Sequence, residues 1–326
     1  MLKSHQVIIM SKFKWAYIGN GNIAESTARS ILKGEHEIVS VYGRNTDKAK
    51  DFAKKVGATA VSTTEEAIGF DGVDAVYIAT PHTSHVDYSI LSLNMKKPVL
   101  CEKPVAVTAA DAQRMINAAK ENDTYFAEAM WTWFSDVARK VKEWVQSGRI
   151  GEISSVEIHY AFPGIMKPKT SRVLMPETAG GALLDIGIYP ITYCYNLFGY
   201  PDEIICNGEL KNGIDIKETV ILRYGDMKCK LHMSLTEIRE DCTIVGTDGT
   251  IKLPLFHMAS KAVLKSRKGN ETFKGKTDYS TEFTRCAEEI KAGRKESGYV
   301  PFQSTIDCLR IMDECRAQMG LKYPFE

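Results

Sequence analysis

Two short segments hold the side chains best suited to proton chemistry: Glu102-Lys103-Pro104 and Asp185-Ile186-Gly187-Ile188-Tyr189. A lysine, a carboxylate and a phenol can together interconvert a hydroxyl and a carbonyl. Such a step needs a general acid/base within hydrogen-bond reach of the oxygen. It also needs a positive charge or donor where the alkoxide develops. An ammonium at Lys103 can bind the oxygen and lower the pKa of a nearby phenol, whose ordinary value is about 10. Tyr189 then serves as proton donor or acceptor, and Asp185 orients Lys103 or a substrate hydroxyl. In a helix, Asp185 and Tyr189 fall one turn apart on one face. Pro190 fits such a helix best near its start.

A chain of this chemistry needs somewhere for the hydride to go. Gly19-Asn20-Gly21-Asn22-Ile23-Ala24 is a G-x-G-x-x-A turn. Gly19 permits a tight turn, Gly21 lets the backbone approach a pyrophosphate, and Ala24 keeps a helix close to a sheet. The helix N-terminus stabilises the phosphate charge. The turn follows a strand-like run, Trp15 to Ile18, and opens a helical one, Ile23 to Leu32, which is the context a dinucleotide site requires. An acidic residue at the end of the second strand would take a ribose 2′-hydroxyl. This chain has Tyr42-Gly43-Arg44-Asn45 there instead. Arg44 suits a 2′-phosphate, so NADP is favoured over NAD.

The elements that must position these groups read as two domains. Residues 13–127 alternate strand and helix: strands at Ile38–Val41, Asp74–Ala79, Pro98–Cys101 and Thr124–Ala127 follow the first. Between them come a helix capped by Asn45 or Thr46 and ended by Gly57, one capped by Ser84, and one opened by Thr108. This rhythm predicts a parallel, doubly wound sheet. Lys103 then lies just past a strand's C-terminal end, where such sheets bind ligands. From residue 128 to 326 the pattern changes. Ser135 to Gly148 is amphipathic. Polar strands follow at Ser154–Phe162, Glu203–Leu210, Thr219–Tyr224, Lys228–Leu235 and Asp241–Val245, with hairpin signals at Arg223–Lys228 and Gly246–Gly249. This half is expected to be a mainly antiparallel open sheet with helices near Glu282–Ala292 and Gln303–Met319. The fold class is α/β.

Other features exclude more than they assign. A net charge of +1 gives no reason to expect nucleic acid or a membrane surface. Eight cysteines without a C-x-x-C pair fit reduced thiols in a cytoplasmic protein. Met1 to Met10 carries no signal-peptide pattern and is expected to be a disordered leader, or Met1 an upstream start with Met10 the functional one; residues 1–12 are assigned no role. His82 and His85, spaced i, i+3 without a third ligand, predict no metal; His82 is placed at the cofactor and His85 at the following helix. Tyr224-x-x-x-Lys228 has the spacing of a catalytic pair, but Gly225-Asp226 between two strand-like runs reads as a hairpin. Trp131, Phe162 and Arg172 are candidates for contact with substrate: aromatics suit a sugar ring or cyclic diol, an arginine a polar group.

Taken together, these motifs resemble the glucose–fructose oxidoreductase/inositol dehydrogenase/rhizopine catabolism (Gfo/Idh/MocA) family. The resemblance rests on Gly19-x-Gly21-x-x-Ala24, Ala79-Thr80-Pro81-His82-x-x-His85, Glu102-Lys103-Pro104, Gly180-Gly181-Ala182-Leu183-Leu184-Asp185-Ile186-Gly187-Ile188-Tyr189 and, more weakly, Ile244 to Ile251. It implies a dinucleotide site that includes Asn20, Asn22, Ile23, Arg44, Thr80, Pro81, His82, His85, Glu102 and Lys103. It implies catalysis by Lys103, Asp185 and Tyr189, and a homodimer or higher homo-oligomer formed through the C-terminal sheet. Much of the family has histidine at the Tyr189 position. Tyrosine there, with Glu128-Ala129-Met130-Trp131, is similar to the dimeric dihydrodiol dehydrogenase and glucose–fructose oxidoreductase subgroup. Ala179, where a third glycine is common, and Trp133, where an arginine is common, depart from it. The expectation is an NAD(P)-dependent oxidoreductase of a sugar, polyol or cyclic dihydrodiol. The alternatives are a non-catalytic dinucleotide sensor or a redox-assisted glycosidase.

Overall fold

A computed structural model describes residues 12–326. The expectations for the first eleven residues therefore lie outside the described residues. The described residues form two sheets. The first is wholly parallel, with strands β1 (Phe13–Ile18), β2 (His36–Tyr42), β3 (Thr59–Ala60), β4 (Ala75–Ile78), β5 (Val99–Glu102) and β6 (Phe126–Ala129) in spatial order β3-β2-β1-β4-β5-β6. Helices α1 (Asn22–Ile31), α2 (Thr46–Val56), α3 (Thr64–Ile68), α4 (His85–Asn94) and α5 (Ala109–Glu121) connect the strands. The order reverses between β1 and β4, and a crevice opens at the C-terminal ends of the strands there. β4, at the centre of the sheet, reads as an unbroken apolar run because both its faces are covered; β4 and β5 are buried at every position.

Local chemistry ends and starts these helices. Asn45 accepts from the Lys48 amide at 2.9 Å and Thr108 from the Asp111 amide at 3.1 Å. Gly57 closes α2 at φ 74°. Ser84 differs from expectation: its hydroxyl donates to Thr80 Oγ1 and to the Pro81 carbonyl, so it caps nothing. The reason is a 3₁₀ turn at His82–Ser84, which brings Ser84 back over the strand end.

The second sheet has eight strands, β7 (Ile153–Ala161), β8 (Glu203–Lys211), β9 (Ile214–Tyr224), β10 (Met227–Ser234), β11 (Arg239–Gly246), β12 (Gly249–Pro254), β13 (Lys261–Ser266) and β14 (Glu271–Lys274), in order β14-β13-β12-β11-β7-β10-β9-β8. All its pairings are antiparallel except β7 with β10. Gly225-Asp226 is the two-residue turn between β9 and β10, with Tyr224 opposite Met227. Helix α6 (Asp136–Gln146), capped by Ser135, precedes the sheet, and α7 (Ile188–Phe198) crosses it. Two C-terminal helices, α8 (Tyr279–Lys291) and α9 (Phe302–Met319), follow.

The two layers share a core. Phe283 of α8 sits at 4.9 Å from the ring of Trp15 and 4.8 Å from that of Tyr77, on strands of the first sheet. Burying one such side chain stabilises by about 1.5–3 kcal/mol. The C-terminal helix therefore belongs physically to the N-terminal sheet as well. All eight cysteines are free and buried. Among the described residues, no helix is long and apolar enough to cross a membrane.

Candidate active site

The crevice at the β1/β4 switch is a cleft of about 710 Å³. Its floor is the turn from Gly19 to Ile23, and its sides are Tyr42 to Asn45, Ala79 to Pro81, and Tyr88 of α4. Gly19 has φ +110°, and a Cβ there would meet the Ala79 carbonyl at 2.5 Å, so only glycine brings the turn this close to β4. Gly21 sits at the N-cap of α1 without a side-chain cap, and nothing lies within 4 Å of where its Cβ would be. The first amides of α1 thus have no side-chain acceptor at the cap. Among the described residues, nothing partners the buried Asn20 Nδ2. Three cationic side chains, Arg44, Lys167 and Arg172, line the cleft against one carboxylate, Asp185. Free helix-terminal donors and a cationic surplus fit an elongated, doubly phosphorylated ligand such as a nicotinamide dinucleotide.

At the inner end of the cleft three elements converge. Lys103 follows β5 directly, and the Lys103–Pro104 peptide is cis. Its Nζ donates at 2.6 Å to the backbone carbonyl of Asp185, stands 3.8 Å from Asp185 Oδ1, and lies 4.5 Å from the centre of the Tyr189 ring. Asp185 belongs to a π-helical turn, Leu183–Gly187, that runs into α7, where Tyr189 sits. The widened turn also accommodates Pro190: the carbonyl four residues back lies in it, where a proline ring would otherwise clash. Arg172 reaches in from the loop after β7, donating to Asp185 Oδ1 at 2.6 Å and to His82 Nε2 at 3.0 Å.

The electrostatics follow from this packing. Burial lowers the Lys103 ammonium from its ordinary value, and Asp185 partly restores it. Burial alone would raise Asp185, but Arg172 and then Lys103 hold its carboxyl well below the usual carboxylate range. Burial pushes the Tyr189 phenol well above its ordinary value. Its oxygen accepts from Trp131 Nε1 at 3.1 Å, which leaves its own proton to donate. Tyr189 therefore turns its ring face, not its hydroxyl, toward the lysine. Around the ring stand Trp131, Tyr160 and His257; the His257 ring is 5.5 Å from Tyr189 and 5.7 Å from Trp131. Tyr160 bonds His257 Nε2 at 3.0 Å, and Glu240 receives His257 Nδ1 at 2.7 Å.

Some expected cofactor contacts lie one layer behind the cleft wall. His82 is 3% exposed and sits behind Arg172; burial, then Arg172, hold it neutral. His85 faces the Pro104 carbonyl at 3.0 Å and the Thr80 carbonyl at 2.8 Å. Burial lowers its pKa to about 4, so the neutral ring donates to one of the two and ties the β4 and β5 ends together. Glu102 accepts from Tyr77 Oη at 2.5 Å, also out of the cleft. Phe162, at the end of β7, packs its ring under Lys167 at 5.0 Å. Among the described residues no cluster of histidine, cysteine or carboxylate side chains could hold a metal. The structure adds Tyr42, Tyr88, Lys167 and Ser171 to the cleft wall, and Tyr160 and His257 beside Tyr189. Sequence spacing gives no signal for these, since each comes from a different element.

A doubly wound nucleotide domain joined to an open-sheet domain, with a strand-end lysine against a π-turn carboxylate, defines a two-domain NAD(P)-dependent oxidoreductase. The chain belongs to the GFO/IDH/MocA oxidoreductase family: residues 13–129 match its NAD-binding Rossmann fold and residues 138–252 its C-terminal domain. It is 32% identical over 322 residues to the scyllo-inositol 2-dehydrogenase (NADP(+)) IolU of Bacillus subtilis, covering 95% of this chain and 98% of that one. It is 30% identical over 332 residues to the trans-1,2-dihydrobenzene-1,2-diol dehydrogenase of Danio rerio, with the same coverage of both chains. Its fold matches that of the 3-ketoreductase KijD10 of Actinomadura kijaniata, solved with NADP and TDP-benzene, at a TM-score of 0.85 and 21% identity over 95% of this chain and 98% of that one.

Proposed function

We propose that the protein uses NADP to interconvert a secondary hydroxyl and its carbonyl on a hydroxyl-rich small molecule, a sugar, polyol or cyclic diol. The observation that carries this is the convergence of Lys103, Asp185 and Tyr189 at the inner end of the dinucleotide cleft. Relatives named for an inositol and for a dihydrodiol support the substrate class. When bound, the nicotinamide supplies or accepts the hydride. The protein's part is to hold the substrate oxygen and move its proton.

Lys103 and Tyr189 divide that work. The Tyr189 phenol stays protonated at neutral pH, and Trp131 fixes its oxygen so that its proton points to the substrate oxygen. Lys103, shifted toward neutrality by burial, binds the same oxygen and stabilises negative charge as it develops. Asp185 anchors the lysine. The aromatic wall of Trp131 and Tyr160 covers the apolar face of a ring, and the Tyr160 oxygen, held by His257, supplies an acceptor for one of its hydroxyls. Arg44, with Gly43 and Asn45, suits a 2′-phosphate, and the first acidic residue past β2 is Asp47, inside α2. The C-terminal sheet, whose outer positions include Glu157 and Lys230, is the surface through which we expect two copies to pair.

The test is a screen of inositols, aldoses and cyclic diols against NADP and NAD in parallel, following nicotinamide absorbance, with Lys103→Met as the control. Turnover by the wild type on none of these classes would remove the assignment.

A further inference from the structure

The turn that carries Asp185 rests on two buried acids that the reaction does not use. Asp215 and Glu218, both on β9, are 0% and 1% exposed. Asp215 Oδ2 accepts from the Leu183 amide, at the start of the π-helical turn, at 2.6 Å. Its other oxygen lies under Gly181, where a Cβ would run into it. Glu218 Oε1 lies under Gly187, 3.5 Å from where a Cβ would be, midway between Asp185 and Tyr189. Gly181 and Gly187 thus leave room for the two carboxyls, and a third anchor, Tyr323 Oη, donates to the Gly180 carbonyl at 2.9 Å.

As two carboxylates, this pair would be untenable. Among the described residues, Asp215 Oδ1 and both Glu218 oxygens make no hydrogen bond. The side chains that face Glu218 and Asp215 from neighbouring elements are Cys206 of β8, Cys315 of α9 and Tyr323, none of them basic. Arg316, stacked on Tyr323, is taken up by Glu326 at 2.8 Å. Two like charges packed under one turn and this dry cannot both ionise, and a proton shared between Asp215 Oδ1 and one Glu218 oxygen pairs two of these three atoms.

We propose that Asp215 and Glu218 are positioning residues that share one proton, and that this acid pair holds the Gly180–Gly187 turn where Asp185 meets Lys103 and Arg172. The proposal rests on the reading of Lys103, Asp185 and Tyr189 as the reacting site. Burial, and then the Asp215 charge, push the Glu218 carboxyl well above its ordinary value. The folded protein therefore holds this proton more tightly than the unfolded chain. The stabilisation is complete below the ordinary glutamate value of about 4.3 and is lost as pH rises through the raised one.

Glu218→Gln installs a permanent donor to Asp215. Its Tm should fall less than that of the wild type between about pH 5 and about pH 9, and its kcat relative to wild type should rise over the same range. Asp215→Ala should lower kcat on the order of tenfold with the KM for NADP within about twofold, because the Gly19–Ile23 floor and the Tyr42–Asn45 wall of the cleft do not rest on this turn. Asp215→Asn, whose carbonyl still accepts from Leu183, should recover most of that loss. Parallel Tm curves for wild type and Glu218→Gln would overturn the shared proton, and Asp215→Asn no better than Asp215→Ala would overturn the positioning role. The Tm comparison does not depend on turnover, so it stands apart from any failure of the Lys103 assignment.

Discussion

Lys103 Nζ lies 4.5 Å from the centre of the Tyr189 ring while donating at 2.6 Å to the carbonyl of Asp185. Two segments 82 residues apart in sequence meet at one ammonium. Removing that ammonium should remove the charge that stabilises a developing alkoxide and leave the nucleotide cleft intact. Lys103→Met is expected to lower kcat by about 10²–10⁴-fold with NADP affinity unchanged by fluorescence titration. Wild-type turnover would exclude Lys103 from the chemistry.

Tyr189 and Trp131 form a second linked pair. Tyr189→Phe removes the phenol proton and also strips the Trp131 indole of its acceptor. An unsatisfied buried donor costs about 1–3 kcal/mol. The variant should therefore lose both kcat and thermal stability. Trp131→Phe keeps the phenol but frees its orientation, so its kcat should fall less than that of Tyr189→Phe. Equal kcat for Tyr189→Phe and wild type would make the tyrosine purely structural.

Much of this was legible because the signals are local. The Gly19–Ala24 turn, the caps at Asn45 and Thr108 and the Gly225-Asp226 hairpin each depend on a few adjacent residues, and all appear where their chemistry places them. What the sequence hides is tertiary. The return of Phe283 to the first sheet, Tyr160 and His257 beside Tyr189, and the layer of His85 behind the cleft depend on contacts between distant elements. Short pieces also escape periodicity: β3 has two residues and α3 five, although the Thr63/Glu66 capping box announces the latter. Ala179 is instructive in another way. It departs from the glycine common at this position, and it adopts φ 52°, ψ 47°, the left-handed region that favours glycine.

Asp185 ties stability to pH in the opposite sense from Glu218. Arg172 and Lys103 outweigh its burial and depress its pKa, so its stabilisation is present above the ordinary aspartate value of about 3.9 and is lost as pH falls below it. Asp185→Asn should be less stable than wild type at neutral pH by about 1–3 kcal/mol, since it loses a charge-assisted bond to a half-exposed arginine. That gap should close as the solution is acidified toward pH ~3. Urea denaturation at a series of pH values measures it; a gap that stays constant would mean the carboxylate's charge contributes nothing.

On the proposed function, Arg44 selects NADP over NAD. It is exposed at the mouth of the cleft, immediately after Gly43, whose Cβ position is filled by the Asn20 side chain, with Oδ1 at 2.6 Å. Arg44 lines the cleft just past the end of β2, the position at which a carboxylate commonly binds a ribose 2′-hydroxyl, and Asn45 is committed to capping α2. A guanidinium bonds a phosphate through paired N–H groups, and such charge-assisted contacts are worth about 1.5–3 kcal/mol. Arg44→Ala should therefore raise the Kd for NADP by roughly 10–100-fold and leave that for NAD within about twofold. Adding Tyr42→Asp to that background should move preference toward NAD by placing an acceptor at the end of β2. Titrating both dinucleotides against the three proteins checks this. Equal losses for NAD and NADP on removing Arg44 would mean the arginine senses the nucleotide's general charge and not its 2′-phosphate.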